Sequence, residues 1–243
     1  INLLYKFQCC LANLGLDLDQ MESIGEEEKC INKLSNKINI LILILRVLKR
    51  QVILQDEETG NAFCQTDCLS IEQIQNLLNK LKEECKVQPD LIVLSVGGGG
   101  LLCGVVEGLI RNNWTDTNIL AVETEGASSF YKSVQENKRI CLDSIDTIAT
   151  SLGAKQVATK ALEYAKKYKI IPYLVSDESA AKACVKFADE YRTLVEPACG
   201  VSLSVIYDNA EIIQGFHNIV VIVCGGAILN LNKILEWKEK YYK

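Results

Sequence analysis

A short apolar run that passes straight into four consecutive glycines and then into an amphipathic stretch leaves a chain few options, and LIVLSVGGGGLLCGVVEGL, Leu91 to Leu109, has that form. Leu91 to Val96 reads as a strand buried on both faces. Gly97, Gly98, Gly99 and Gly100 carry no Cβ. The backbone there can turn sharply and aim successive N–H groups at one point, where the positive end of the following helix adds its field. Such a junction is built to hold a phosphate. A flexible linker is the competing reading, but linkers are not flanked by Leu-Ile-Val-Leu before and Leu-Leu-Cys after. No Gly-Lys-Ser/Thr follows and the glycines are contiguous, so neither a Walker loop nor a spaced G-x-G-x-x-G is present.

With 49% hydrophobic and 23% charged residues, the 243-residue chain can bury one sizeable core or two small ones. Its net charge of −5 comes with no basic block, which argues against nucleic acid as a partner. The eleven cysteines are scattered through apolar segments such as Leu101-Leu102-Cys103 and Val223-Cys224. That pattern fits reduced thiols and a cytoplasmic location better than a disulfide framework. Cys64 and Cys68 have no second such pair and no nearby histidine, which leaves zinc a minor reading. The single histidine, His217, removes histidine triads and multi-histidine metal centres and is expected in a loop before a strand. The longest apolar run, Ile38 to Leu48, is shorter than the roughly 20 residues of a membrane-spanning helix, and no membrane partner is expected. The sequence opens at Ile1, and no signal peptide is expected, because Lys6 precedes Phe7, Gln8 and paired cysteines rather than a sustained apolar region.

Composition changes near Pro89, with three glycines before it and twelve after. Residues 1 to 69 are expected to form a diverged, mostly helical region, and a helix is expected at Ser70 to Cys85, where Ile71, Ile74, Leu77, Leu78 and Leu81 share one face. From Asp90 the pattern predicts strands at Leu91–Val96, Ile119–Val122, Tyr173–Val175 and Ile219–Val223. Helices are predicted at Leu101–Arg111, Ser128–Glu136, Thr159–Tyr168, Asp177–Glu190 and Gly200–Gln214, with a last one running to Tyr242; Asp177 is the expected N-cap of its helix. Strands alternating with helices predict an α/β fold with a mostly parallel sheet. Ligands bind such sheets beyond the carboxyl ends of the strands, where Gly97–Gly100 and Cys224–Gly226 both fall, so the two turns imply one shared crevice.

Five segments, SVGGGGLLCGVVEGL, AVETEGASSF (Ala121 to Phe130), TSLGA (Thr150 to Ala154), LVEPACG (Leu194 to Gly200) and VIVCGG (Val221 to Gly226), resemble in order and spacing the carboxyl-terminal half of the serine/threonine dehydratases. The resemblance covers roughly residues 70 to 243. It implies the large domain of a fold-type II, tryptophan synthase β-like enzyme, the small domain being incomplete or absent. It also implies pyridoxal 5′-phosphate (PLP) as cofactor, a small amino-acid substrate, a homodimer, and β-elimination from L-serine or L-threonine. By the same resemblance Gly97, Gly98, Gly99 and Gly100 hold the cofactor phosphate, and Cys224 faces the pyridine nitrogen. A potassium-like monovalent cation would be held by Glu123 with oxygens of Gly97, Ala127, Ser129, Leu152 and Ala154. From the residues alone, Cys224 reads equally as a small core hydrophobe, and Glu123 as a helix-capping or salt-bridged carboxylate. Oxygen-only ligation suits a hard cation. Glu196 is expected to cap a helix beginning near Gly200.

The family's Ser-x-Lys-x-Arg-Gly-like segment, whose lysine links to the cofactor, and its Ser-x-Gly-Asn-like substrate loop have no counterpart in this sequence. Lys6, Lys29, Lys33, Lys37, Lys49, Lys80, Lys82 and Lys86 all stand in charged or amphipathic settings, and Thr59-Gly60-Asn61 only echoes the asparagine loop. No catalytic residue is therefore assigned. Three functions suit these residues: an ammonia-lyase impaired in this chain, a truncated non-catalytic paralogue acting as a ligand-binding or oligomerisation module, and, most distantly, a nucleotide-binding α/β domain. The last lacks spaced glycines and an acidic ribose partner.

Overall fold

The computed structural model describes residues 39–44, 51–55, 62–66, 88–225 and 229–242. The chain divides into two compact units, Ile1–Asn39 and Ile40–Lys243, and every described residue but Asn39 belongs to the second. The helix expected at Ser70 to Cys85, the eight lysines and Asn61 lie outside the described residues.

Three strands, β1 (Asn39–Ile44), β2 (Gln51–Gln55) and β3 (Ala62–Thr66), occupy part of the region expected to be mostly helical. NILILI and QVILQ are short, rich in β-branched residues and without helical spacing, so the strand preference prevails in these segments. β2 and β3 pair antiparallel, with Ile53 opposite Cys64.

β4 (Leu91–Ser95), β5 (Asn118–Thr124), β6 (Ile170–Val175) and β7 (Asn218–Val223) belong to a five-stranded sheet of order β1-β7-β4-β5-β6. The pairs β7–β4, β4–β5 and β5–β6 are all parallel. Leu91, Ile92, Val93 and Leu94 are fully buried, as their unbroken apolar run requires. β6 starts three residues before its expected start, because Pro172, the apparent breaker, lies on an edge strand, where an amide facing away from the sheet is dispensable.

The sheet order reverses beside β4: β5 and β6 add on one side, and β7 returns to the other. The register Leu91↔Ile219 to Val93↔Val221 brings Ser95 and Val223, the last residues of the two strands, level. This reversal is the switch point at which open α/β sheets bind ligands. At the opposite end Asp90 ties three strands together. Its carboxylate accepts from the amides of His217 and Asn218, both at 2.9 Å, and its carbonyl from the Asn118 amide at 3.1 Å. His217 is the loop residue before β7 that the sequence predicts.

Helices α1 (Gly100–Arg111), α2 (Ser129–Gln135) and α3 (Thr159–Lys167) lie in the β4-to-β6 half of the chain. α4 (Asp177–Tyr191), α5 (Pro197–Tyr207) and α6 (Leu231–Tyr241) follow β6. Right-handed crossovers in both directions of sheet growth put α1, α2 and α3 on the face opposite α4 and α5, and α6 packs on α4. α5 packs against β4, β5, β6 and β7, with α4 behind it, and Pro197 to Val205 are all buried. A Cβ on Gly200 would overlap the Ala180 carbonyl of α4 and come within 2.6 Å of Cys184 Sγ, so glycine sets the close approach of these helices.

Both ends of α5 and the cap of α4 differ from expectation. α5 starts at Pro197 rather than near Gly200, since proline favours the first helical position, and it ends at Tyr207 before Asn209 enters the left-handed region. The N-cap of α4 is Ser176, whose hydroxyl accepts from the Ser179 amide at 3.1 Å. Asp177 instead fastens the preceding loop, accepting from the Thr147 hydroxyl at 2.5 Å and the Ile148 amide at 2.9 Å. Cys103, Cys141, Cys184, Cys199 and Cys224 are thiols, with Cys184 and Cys199 buried and Cys141 exposed.

Candidate functional site

The glycine turn is held on one side by the segment from Thr150 to Ala158. Thr150–Leu152 forms a single 3₁₀ turn, and the Gly98 carbonyl accepts from the Ala158 amide at 2.9 Å. A Cβ on Gly97 would stand 3.1 Å from Leu152 Cα. Gly99 has φ +90°, and a Cβ there would lie 2.9 Å from Ala161 Cβ and 3.0 Å from Val157 Cγ2. Gly99 has neither the room nor the backbone conformation for a side chain, and at Gly97 one would press on the Leu152 backbone. Gly98 differs: it is exposed, and among the described residues a Cβ would meet only Ala154 Cβ, at 3.9 Å.

Among the described residues the space beside Gly98 is thus open. Gly99 is the N-cap of α1, no side chain among the described residues caps this helix, and its first amides have no partner within it. Unfilled space, exposed Gly98 and Gly100, and an uncapped twelve-residue helix form a cradle that fits a phosphate dianion. β7 ends beside this cradle, and Cys224 follows it, half-buried.

Glu123, in β5, is completely buried. Its Oε1 accepts from the Phe130 amide at 2.9 Å and its Oε2 from the Tyr131 amide at 2.7 Å, so the carboxylate satisfies the start of α2. Burial pushes its pKa up to about 7, against the downward pull of those two amides. The helix-capping role open on sequence is therefore present, and nothing in it prevents a cation on the remaining lone pairs. Of the oxygens grouped with Glu123, the Ser129 carbonyl accepts from the Ser133 hydroxyl at 2.6 Å and the Leu152 carbonyl from the Ala154 amide at 2.7 Å. Leu152 approaches Gly97 closely, and Ala127 and Ser129 are buried beside the strand end that carries Glu123. The Ser129 hydroxyl is buried and has no hydrogen-bond partner among the described residues. Among the described residues no cluster of three or more His, Cys, Asp or Glu could hold a metal.

Glu196 does not cap α5 through its side chain, although it holds the N-cap position. Burial raises its pKa, and a hydrogen bond from Ser151 opposes the rise. Its amide donates to the Gly225 carbonyl at 3.0 Å.

Sequence reasoning missed Cys199. Three residues into α5 and buried, its Sγ accepts from the amides of Cys224 at 3.2 Å and Gly225 at 3.3 Å, and donates to the Gly225 carbonyl at 3.1 Å. The only signal was its place in LVEPACG, a segment that resembles the family but was given no role.

The family described as pyridoxal-phosphate dependent enzyme matches residues 66–225, two-thirds of the chain and the whole of the cradle, and the chain belongs to it. It is 39% identical over 182 residues to the L-serine dehydratase/L-threonine deaminase of Bos taurus, covering 72% of this chain and 56% of that protein. To the L-serine dehydratase of Dictyostelium discoideum it is 43% identical over 161 residues, 63% of this chain and 46% of that one. Among solved structures, a fungal L-serine ammonia-lyase from Rhizomucor miehei aligns with a TM-score of 0.68 at 35% identity, over 70% of this chain and 56% of the other. The chain spans about half the length of the curated relatives it matches. Pyridoxal phosphate is the cofactor of this family, and the α/β fold expected from the sequence is that of these enzymes.

Proposed function

We propose that the protein is an L-serine/L-threonine ammonia-lyase, releasing ammonia and either pyruvate or 2-oxobutanoate from a small amino-acid substrate. One observation carries the reading: β4 pairs with β7, so the glycine cradle and Cys224 lie at neighbouring strand ends. Backbone amides at Gly97–Gly100 would bind the cofactor phosphate, and the missing Cβ of Gly98 would leave it room. When bound, the cofactor supplies a sink for the electron pair released at the substrate Cα, which lets hydroxide leave from Cβ. Cys224 would face the pyridine nitrogen as a neutral thiol and so leave it unprotonated, unlike a carboxylate. Glu123, with oxygens of Gly97, Ala127, Ser129, Leu152 and Ala154, would hold a potassium-like cation behind the cradle. Residues 70–243 are proposed as the cofactor-binding portion and 1–69 as a diverged region, in a cytoplasmic homodimer. No helix among the described residues is long and apolar enough to cross a membrane.

Proton removal at Cα needs a base placed over the cofactor, which in the family is the linking lysine. None of the lysines in this sequence has that setting, and we propose that turnover by this chain alone is impaired. Titration with PLP, borohydride reduction, peptide mass spectrometry and a pyruvate assay test both parts. Expected are saturable PLP binding displaced by inorganic phosphate, no stoichiometric pyridoxyl-lysine, and little pyruvate from serine. Absence of PLP binding would overturn the assignment. A single modified amino-terminal lysine with serine-dependent pyruvate would overturn the impairment and leave a complete lyase.

A further inference from the structure

We propose that Cys199 is a positioning residue: its thiol fixes the turn that carries Cys224 and so sets the pyridine end of the crevice. The role in cofactor binding rests on the function proposed above; the clasp itself rests on geometry. One sulfur, 1% exposed, receives two consecutive amides, from Cys224 at 3.2 Å and Gly225 at 3.3 Å, and returns a hydrogen bond to the Gly225 carbonyl at 3.1 Å. Successive amides converging on one electron-rich atom form a nest, here closed by a side chain rather than by an anion. The same carbonyl takes the Glu196 amide at 3.0 Å, so the start of α5 grips the turn at two points.

The helix geometry explains why residue 199 reaches it. Side chains lean toward the amino end of their own helix, and Cys199 is the third residue of α5. Gly225 has φ +151°, a conformation that a side chain would strain, and the clasp holds it there. An aliphatic residue at 199 would fill the volume equally well but leave two amides and a carbonyl of the turn with one partner fewer each. Ordinary core packing does not explain all three polar contacts; a fixed Cys224 backbone does.

Hydrogen exchange read by mass spectrometry on the full chain tests this, comparing the natural sequence, Cys199→Ala and Cys199→Ser. Affinities for PLP and for inorganic phosphate are measured alongside. Losing the clasp should speed exchange at the Cys224 and Gly225 amides about ten-fold, the worth of one ordinary hydrogen bond, while β4 exchanges as before. PLP affinity should fall several-fold with phosphate affinity unchanged, and serine, which keeps donor and acceptor, should restore part of both. If alanine loosens β4 as well, Cys199→Val, which fills the volume without the polar contacts, carries the same comparison. Unchanged exchange at 224–225 overturns the clasp. Faster exchange with unaltered PLP affinity overturns the positioning role. If the natural chain binds phosphate but not PLP, the proposed function falls and the positioning role with it, while exchange still decides the clasp.

Discussion

The two strand ends that meet at the switch point are built by opposite means. After β4 the turn is shaped by what is missing: four residues without side chains, two of them in close approach to Leu152, Val157 and Ala161. After β7 the turn is shaped by what is added, a thiol reaching from α5 to gather its amides. The first leaves amides open to an incoming anion; the second uses its amides internally and presents a side chain. A crevice that grips a phosphate at one end and only contacts a ring at the other needs this asymmetry, because strong charge-assisted hydrogen bonds belong to the phosphate end.

The largest expected effects separate folding from binding within the β4 turn. Gly99→Val places a β-branched residue at φ +90° with its Cβ 2.9 Å from that of Ala161, and should destabilise by about 2–4 kcal/mol in chemical denaturation. A methyl group on Gly98 meets no described atom closer than 3.9 Å, and the stability of Gly98→Ala should change by less than about 1 kcal/mol. Its methyl group would occupy the cradle, so PLP and phosphate affinity should both fall at least about ten-fold. Full phosphate affinity in a folded Gly98→Ala chain would move the binding site away from the turn.

Next in size is Glu123, buried near the carboxyl end of β5. Glu123→Gln replaces one of two acceptors with a donor facing an amide of α2, and in tetramethylammonium should lower stability by about 1–3 kcal/mol. Its folded pKa of about 7 lies above the usual carboxylate value, so the proton stabilises the fold. That contribution is complete below about pH 4.5 and lost as pH rises through 7. A cation held by the carboxylate would remove the loss, so in potassium the melting temperature near pH 8 should exceed that in tetramethylammonium, and glutamine should erase the difference. Equal melting temperatures in the two salts for the natural chain would leave Glu123 as a helix cap alone.

What could be read in the sequence follows the same asymmetry. Gly97–Gly100 announced itself because absence of side chains is visible in a string of letters, and β4, β5 and β7 because buried strands are unbroken apolar runs between breakers. The start of α5 was obscured: a helix buried on every side has no polar face and hence no period to mark its ends, and the signal at Pro197 competed with Gly200. Cys199 was invisible for a different reason. Its partners lie 25 and 26 residues away, and a thiol among Ala, Val and Leu reads as a small hydrophobe until the fold brings the β7 turn against it. Glu123 was legible as a buried carboxylate needing a partner, but not as one satisfied by amides seven and eight residues on. Ser176 and Asp177, adjacent and both able to cap, could be told apart only by where the Thr147 loop lies.

The smallest effect is expected at Cys224, and it shows whether the two ends act independently. Cys224→Ala keeps the backbone that Cys199 holds, since those contacts use the amide and not the thiol of residue 224. A neutral thiol contributes on the order of 0.5–1 kcal/mol to a ring nitrogen, so PLP affinity should fall by no more than about five-fold. Phosphate affinity should not change, because the anion meets only the β4 turn. Isothermal titration with PLP and with phosphate gives the ratio directly. If both affinities fall together, the thiol supports the glycine turn through the sheet, and the division into a gripping end and a contacting end gives way to a single coupled site.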